Sequence, residues 1–357
     1  MNPSVIGAPP GRPDTGRRRR WRAPVVLTCV LLSIALLVGL LYSLRSAAPI
    51  VLHSAQTPRS IDADSVRDYA QALVLGSGGP RGFAHIGVLQ VLQEAGYRPD
   101  LIVGTSMGAI IGAALSAGRS PQEMEHQALN PEMLNWLFDL TWSRHGWLSG
   151  RAIEHIVGSV DGPRNLEQLP IPVVVVATRL PDGGRIEYGY GDVAAAVRAS
   201  SASPGLFVPV QIDGQLLTDG DIVAPVAVAT ARKLGARKVL AVDVSAFVDS
   251  TPPIESMAVD WVTQDIRRRL LIDRETGAAD WVIHVRMAYY AGVTHSGRLA
   301  SIEAGRQAAQ AALPELRRLG LVPALAVKTS AYAPITAPII PQPYLPPRWG
   351  SALPGRL

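Results

Sequence analysis

Ser106 stands in Gly104-Thr105-Ser106-Met107-Gly108, between the apolar run Leu101-Ile102-Val103 and the small-residue stretch Ala109-Ile110-Ile111-Gly112-Ala113-Ala114. A hydroxyl is a weak nucleophile until it is projected from the chain, relieved of its proton and met by donors for the developing negative charge. The order strand, G-x-S-x-G, helix supplies the first of these: the glycines permit a sharp turn, and the first amides of the helix favour an anion. In a chain with 33 glycines the five letters are weak by themselves. The strand before them and the helix after them give them weight.

A second strand-to-helix turn, Leu73-Val74-Leu75-Gly76-Ser77-Gly78-Gly79-Pro80-Arg81-Gly82, exposes backbone amides able to hold an anion, either a bound phosphate or the transient oxyanion of acyl transfer. Arg81 stands where the third glycine of a dinucleotide fingerprint belongs, and no Lys-Ser or Lys-Thr follows, so neither nucleotide motif is met. With a candidate nucleophile turn on the next strand, the oxyanion role is preferred. A third signal is Leu217-Thr218-Asp219-Gly220-Asp221, downstream of a turn at Asp213-Gly214. An Asp-Gly pair alone is an ordinary turn, and Asp219 gains weight only from its company.

Those residues, taken together, resemble the patatin-like phospholipase family over roughly residues 71–319. Four blocks carry the resemblance: Gly78-Gly79-Pro80-Arg81-Gly82-Phe83-Ala84-His85-Ile86-Gly87-Val88-Leu89, the Gly104 to Gly108 pentapeptide, Ala196-Val197-Arg198-Ala199-Ser200-Ser201-Ala202-Ser203-Pro204-Gly205-Leu206-Phe207, and Thr218-Asp219-Gly220. The resemblance implies a three-layer α/β/α fold around a mostly parallel sheet, and a serine-aspartate dyad in place of a Ser-His-Asp triad. It matches Ser106 to the nucleophile, Asp219 to the general base, Gly78 and Gly79 to the oxyanion-loop glycines, and Arg81 to an arginine that shapes the loop. Two positions depart from the family pattern: Ser77 replaces the first glycine of the loop, and Asp221 replaces the Gly or Ala that follows Asp219-Gly220. Neither change removes a reacting atom, and Asp221 puts a second carboxylate near the site, which bears on the protonation of the base.

His85, one turn into a helix, reads as structural. His284, in the apolar stretch Val282 to Val285, reads as a packed strand residue, and His295 reads as a loop residue ahead of the last helix. The histidines show no metal-ligand spacing, so no metal and no cofactor is expected. The net charge of +5 does not indicate a nucleic-acid partner: seven Arg against one Asp fall in the first 45 residues, and the 27 basic and 28 acidic residues beyond them nearly cancel. Cys29 is the only cysteine, which rules out an intramolecular disulfide.

The elements that must position these groups alternate between short apolar strands and helices. Ala72 to Leu75 precedes a helix over Ala84 to Gln93, and Leu101 to Val103 precedes one over Met107 to Ala117. Val173 to Ala177 is a fully apolar strand, a helix is expected over Gly220 to Leu234, and strands over Lys238 to Val244 and Trp281 to Val285 follow. Such strands belong to a sheet covered on both faces, so the class is α/β.

Outside this region, Arg17 to Arg20 and Arg22 precede an uncharged run over 23–44, long enough as a helix to span a bilayer. Arginine-rich flanks stay in the cytoplasm. The expected organisation is a basic cytoplasmic tail at 1–22, an uncleaved signal-anchor at 23–44, a polar linker at 45–70, the catalytic domain at 71–322 and a Pro-rich tail at 323–357. The expected location is the cell inner membrane, single-pass, with the catalytic domain on the periplasmic side. The expected substrates are fatty-acyl esters of phospholipids or lysophospholipids. Thioesters or soluble esters, or lipid binding without catalysis, are the alternatives of the same fold.

Overall fold

The protein is described from a computed structural model over residues 22–44, 47–52, 56–130, 139–158, 164–246, 259–289 and 291–324. The basic tail before Arg22 and most of the Pro-rich tail lie outside these residues. The chain divides into two compact units, one of them built on the N-terminal helix. That helix, α1 (Arg22–Ser43), is about 33 Å long at the usual rise. Its window Val26–Ser43 has a mean hydropathy of 2.4 and no buried residue. Length and composition suit a membrane span, and a signal sequence has the same character.

The second unit is organised by one sheet in the order β1-β7-β8-β5-β4-β3-β9-β10. Its strands are β1 (Ile50–Val51), β2 (Arg59–Ser60), β3 (Gln71–Leu75), β4 (Leu101–Thr105), β5 (Val173–Leu180), β6 (Gly184–Tyr190), β7 (Val210–Ile212), β8 (Gln215–Asp219), β9 (Lys238–Asp243) and β10 (Trp281–His284). The central block β5-β4-β3-β9-β10 is parallel, while β6 and β8 run antiparallel to β5.

The central strands read as unbroken apolar runs because both of their faces are buried. Leu73 and Leu75 of β3 enter one core with helices α2 (Ala84–Glu94), α3 (Met107–Ser116), α6 (Val193–Ser200) and α9 (His295–Arg318). Ala72 and Val74, pointing the other way by the two-residue strand period, enter a second core with α7 (Val228–Lys233) and Ile272 of α8 (Val259–Thr276). Two cores on opposite faces of one sheet make the expected three-layer α/β/α arrangement. Of the other described helices, α4 (Pro121–Leu129) packs on α2 and α9, and α5 (Arg151–Gly158) packs chiefly on α6; α4 begins at a reciprocal capping box of Ser120 and Glu123.

Two expectations need correction. The stretch expected as a plain linker supplies β1, which pairs with β7, and β2, which pairs with β6. Its apolar Ile50 and Leu52 pack against one core and Ile61 against the other. The helix expected over Gly220 to Leu234 is a 3-10 turn at Gly220–Ile222 and a short helix only from Val228. Pro225 lies between them, and a proline restricts the residue before it and offers no N–H to a helix.

Candidate active site

Strand β5 brings the two candidate residues together. Along one edge it pairs with β6, so β4 and β8 share the other edge. Thr105, the last residue of β4, pairs with Val176, and Asp219, the last residue of β8, pairs with Ala177. The strands approach from opposite directions and end one register step apart, which sets Ser106 and Asp219 side by side although 112 residues lie between them. The tight turn that sends β7 back as β8 places both Asp213 (φ 48°) and Gly214 (φ 72°) in the left-handed region, as a two-residue hairpin loop requires.

Ser106 has φ 55° and ψ −121°, a conformation costing about 1–3 kcal/mol that surrounding structure must hold. Its amide donates to Ser200 Oγ at 2.8 Å, and that hydroxyl donates to the carbonyl of Val176 at 2.6 Å. Helix α3 is fitted tightly against the sheet, since a Cβ at Gly108 would stand 2.1 Å from the carbonyl oxygen of Leu75. Residue 108 is therefore glycine for want of space.

The hydroxyl of Ser106 donates to Asp219 Oδ2 at 2.8 Å, and Asp219 Oδ1 accepts from the amide of Asp221 at 2.9 Å. The backbone of Asp219 is fixed on both sides, its amide donating to Ala202 O at 3.1 Å and its carbonyl accepting from Thr178 Oγ1 at 2.7 Å. Burial, reinforced by the charge of Asp221, pushes the Asp219 carboxyl up to about 7, even though the hydrogen bonds from Asp221 and Ser106 favour its ionised form. A carboxyl titrating there, in contact with a hydroxyl, has the affinity to take and return a proton near neutrality.

The glycine loop leaves β3 beside this point, because Leu75 pairs with Gly104 two residues before Ser106. It becomes a 3-10 helix at Gly79–Phe83, whose opening amides have no preceding carbonyl within the helix to satisfy them. Gly79 has φ +52° and open space where a Cβ would stand, so what holds this position to glycine is backbone conformation, with room for a side chain. Arg81 braces the loop: its guanidinium donates to Val244 O at 3.3 Å and Tyr289 O at 2.9 Å and stacks 5.5 Å from the Tyr289 ring.

His85 is fully buried, its Nε2 2.8 Å from Gly76 O, and burial pushes its pKa down to about 4. A neutral ring donating to a loop carbonyl is a structural part. His284 is a correction to the packed-strand expectation: its side chain is 46% exposed and pairs with Asp243 at 3.1 Å. It sits at the end of the edge strand β10, where the sheet offers it no cover. His295 is the first residue of α9, after the cap Thr294.

Three features escaped sequence reasoning. Ser200, within a matched block, accepts from the amide of Ser106. Arg268 of α8 stands with Nε 2.8 Å from Asp221 Oδ1 and donates to the carbonyl of Ser77 at 2.7 Å. In sequence it sits inside Arg267-Arg268-Arg269, which has the look of a solvated charge run. Third, a largely apolar cavity of about 310 Å³ is lined by Phe83, by Met107, Ile110 and Ala114 of α3, and by Ala117 at the end of that helix. Those α3 positions recur at helical spacing, so the cavity follows the helix for about 15 Å.

Residues 73–232 match the patatin-like phospholipase family. An uncharacterised NTE-family protein of Mycobacterium tuberculosis is 39% identical over 203 residues, 55% of this chain and 55% of its own length. The lysophospholipase nte1 of Aspergillus fumigatus is 31% identical over 231 residues, 62% of this chain and 15% of its own. The mouse patatin-like phospholipase domain-containing protein 6 is 35% identical over 180 residues, 48% of this chain and 13% of its own. The chain thus spans about half the length of its mycobacterial relative and a small part of the other two. Over residues 73–232, the chain carries a domain of the patatin-like phospholipase family.

Proposed function

We propose that the protein is a serine hydrolase of lipid acyl esters, with Ser106 as nucleophile and Asp219 as general base. The observation that carries this reading is the hydrogen bond from Ser106 Oγ to a buried carboxylate, made at a strained strand-helix turn. Ser106 Oγ attacks the ester carbonyl carbon as its proton passes to Asp219 Oδ2, and the amides of Gly78 and Gly79 receive the oxyanion. The intermediate collapses to acyl-Ser106 and an alcohol, which leaves with the proton held on Asp219. Water then attacks the acyl group, its proton returning through Asp219, and fatty acid and free Ser106 result.

The cavity along α3 supports a single fatty-acyl chain as the group transferred, since it is largely apolar, is lined in part by the residue after Ser106 and is elongated along the helix. Phospholipids and lysophospholipids both carry that group, and the names of the fungal and mouse relatives favour them over thioesters. Fluorophosphonate labelling followed by mass spectrometry of products from phospholipids, lysophospholipids, glycerides and acyl thioesters tests the reading. Wild type is expected to label and release fatty acid, with Ser106→Ala doing neither; equal labelling of both proteins sinks it. Ala114→Phe is expected to narrow the cavity and move the preferred acyl chain to shorter lengths, and an unchanged chain-length profile places the acyl group elsewhere.

Helix α1 is the single membrane span in this reading, in the inner membrane, with the preceding arginines cytoplasmic and the hydrolase domain periplasmic. A fluorescent reporter that matures only in the cytoplasm, fused after Leu357, is expected to stay dark. A bright fusion reverses the orientation.

A further inference from the structure

The two positions at which this chain departs from the family pattern, Ser77 and Asp221, touch each other. Ser77 Oγ donates to Asp221 Oδ1 and accepts from Arg268 Nη2 at 2.9 Å. Arg268 closes the set through its ion pair with Asp221 and its hydrogen bond to the carbonyl of Ser77. This arginine belongs to α8, beyond the residues that match the family. We propose that Arg268 is a positioning residue which, through Ser77 and Asp221, aims one oxyanion donor and sets the protonation of the base; this rests on the roles assigned above to Gly78 and Asp219.

The first effect follows from peptide planarity. The carbonyl of Ser77 and the N–H of Gly78 belong to one rigid peptide unit and point in opposite directions. A donor fixed on the carbonyl therefore fixes where the Gly78 amide points. The same helix steadies the other end of the loop, since Asp265 Oδ2, one turn before Arg268, accepts from Tyr289 OH at 2.5 Å, and Tyr289 in turn carries Arg81.

The second effect is electrostatic. The groups that act on the Asp219 carboxyl are Ser106 at the elbow, Asp221 on the following turn, Arg268 from α8 and the buried Arg198 from α6. Asp221 and Arg268 act in opposite senses, the carboxylate raising the pKa of Asp219 and the guanidinium lowering it. A glycine in place of Asp221 leaves Arg268 without its ion-pair partner, and a glycine in place of Ser77 removes the hydroxyl that joins the two. The three residues therefore work as a set.

The test measures kcat and KM across the neutral pH range for the full chain in detergent micelles, with a lysophospholipid as substrate and released fatty acid as the readout. Asp221→Asn, which keeps the size and the backbone amide, is expected to move the acid limb of kcat/KM down by about one pH unit, and Arg268→Gln to move it up by a similar amount. Arg268→Lys keeps the charge but not the planar fork, so its acid limb is expected to stay near wild type while kcat falls and KM holds. A purely structural ion pair predicts loss of folded protein with an unmoved pH profile in what remains. Acid limbs that stay put, or that move the same way in the Asn and Gln variants, overturn the proposal. Fluorophosphonate labelling of Ser106 in wild type separates this failure from failure of the hydrolase reading.

Discussion

Asp219→Asn is expected to lower kcat by about 10²- to 10⁴-fold, the range that a positioned general base supplies. The amide keeps the shape and still accepts hydrogen bonds, but it cannot take the proton of Ser106. With Asp219 pushed up to about 7, the ionised carboxylate that the proposed mechanism needs becomes the majority form as pH increases through about 7, so kcat/KM should rise over that range. The same shift has a stability consequence of opposite sense. Because the native carboxyl holds its proton more tightly than an unfolded one, the native state binds more protons between the ordinary carboxylate value and about 7, and stability falls as pH rises through that window. The Asn variant lacks this penalty and should melt at a higher temperature than wild type above neutral pH, the difference vanishing in acid, where the Asp219 carboxyl of wild type is protonated in the native and unfolded states alike. An active Asp219→Asn enzyme, beside a folded His284→Ala or His295→Ala variant as inert as Ser106→Ala, would replace the dyad with a histidine-dependent triad.

Gly79→Val is expected to reduce kcat by about 10²- to 10³-fold, the cost of losing one oxyanion donor. Space is not the obstacle, since a Cβ at this position meets nothing within 4 Å. The obstacle is φ +52°, which a β-branched residue rarely adopts, so the substituted loop relaxes and its amide turns away from the oxyanion. Gly79→Asn separates the two causes, because asparagine tolerates the left-handed region and should retain far more activity than valine. At Gly78 the logic inverts: its φ of 178° is ordinary extended backbone, but a Cβ would stand 2.6 Å from Val244 Cγ2. Alanine there should already be costly. A folded Gly79→Val enzyme with native turnover would move the oxyanion hole to other donors.

The local elements of this site were legible because their causes are local. A strand that ends in G-x-S-x-G and continues into small residues has little choice but a sharp turn with the serine at its apex. The Asp213-Gly214 hairpin and the apolar run of β5 follow from the conformational range of those residues and from burial on both faces. The resemblance carried by four short blocks named Ser106 and Asp219 without showing how they meet. The limits were equally physical. Gly220 to Leu234 has a helical composition, and Pro225 breaks it. The stretch 45–70 is polar enough to pass for a linker, yet two residue pairs of it find open sheet edges.

Pairing between distant segments was beyond the reach of sequence, because which strands share an edge depends on the free energy of the whole sheet and on no property of either strand alone. That β4 and β8 end one step apart on β5, with Thr105 opposite Val176 and Asp219 opposite Ala177, is decided at that level. So is the partnership of Ser77, Asp221 and Arg268: in sequence they are two separate departures from the family pattern and one member of an arginine run, and the packing of α8 on the sheet turns them into a single hydrogen-bonded group. The chain's letters determined which residues had the chemistry, and only the tertiary structure decided which of them face one another, since proximity across 112 residues is set by packing and not by spacing.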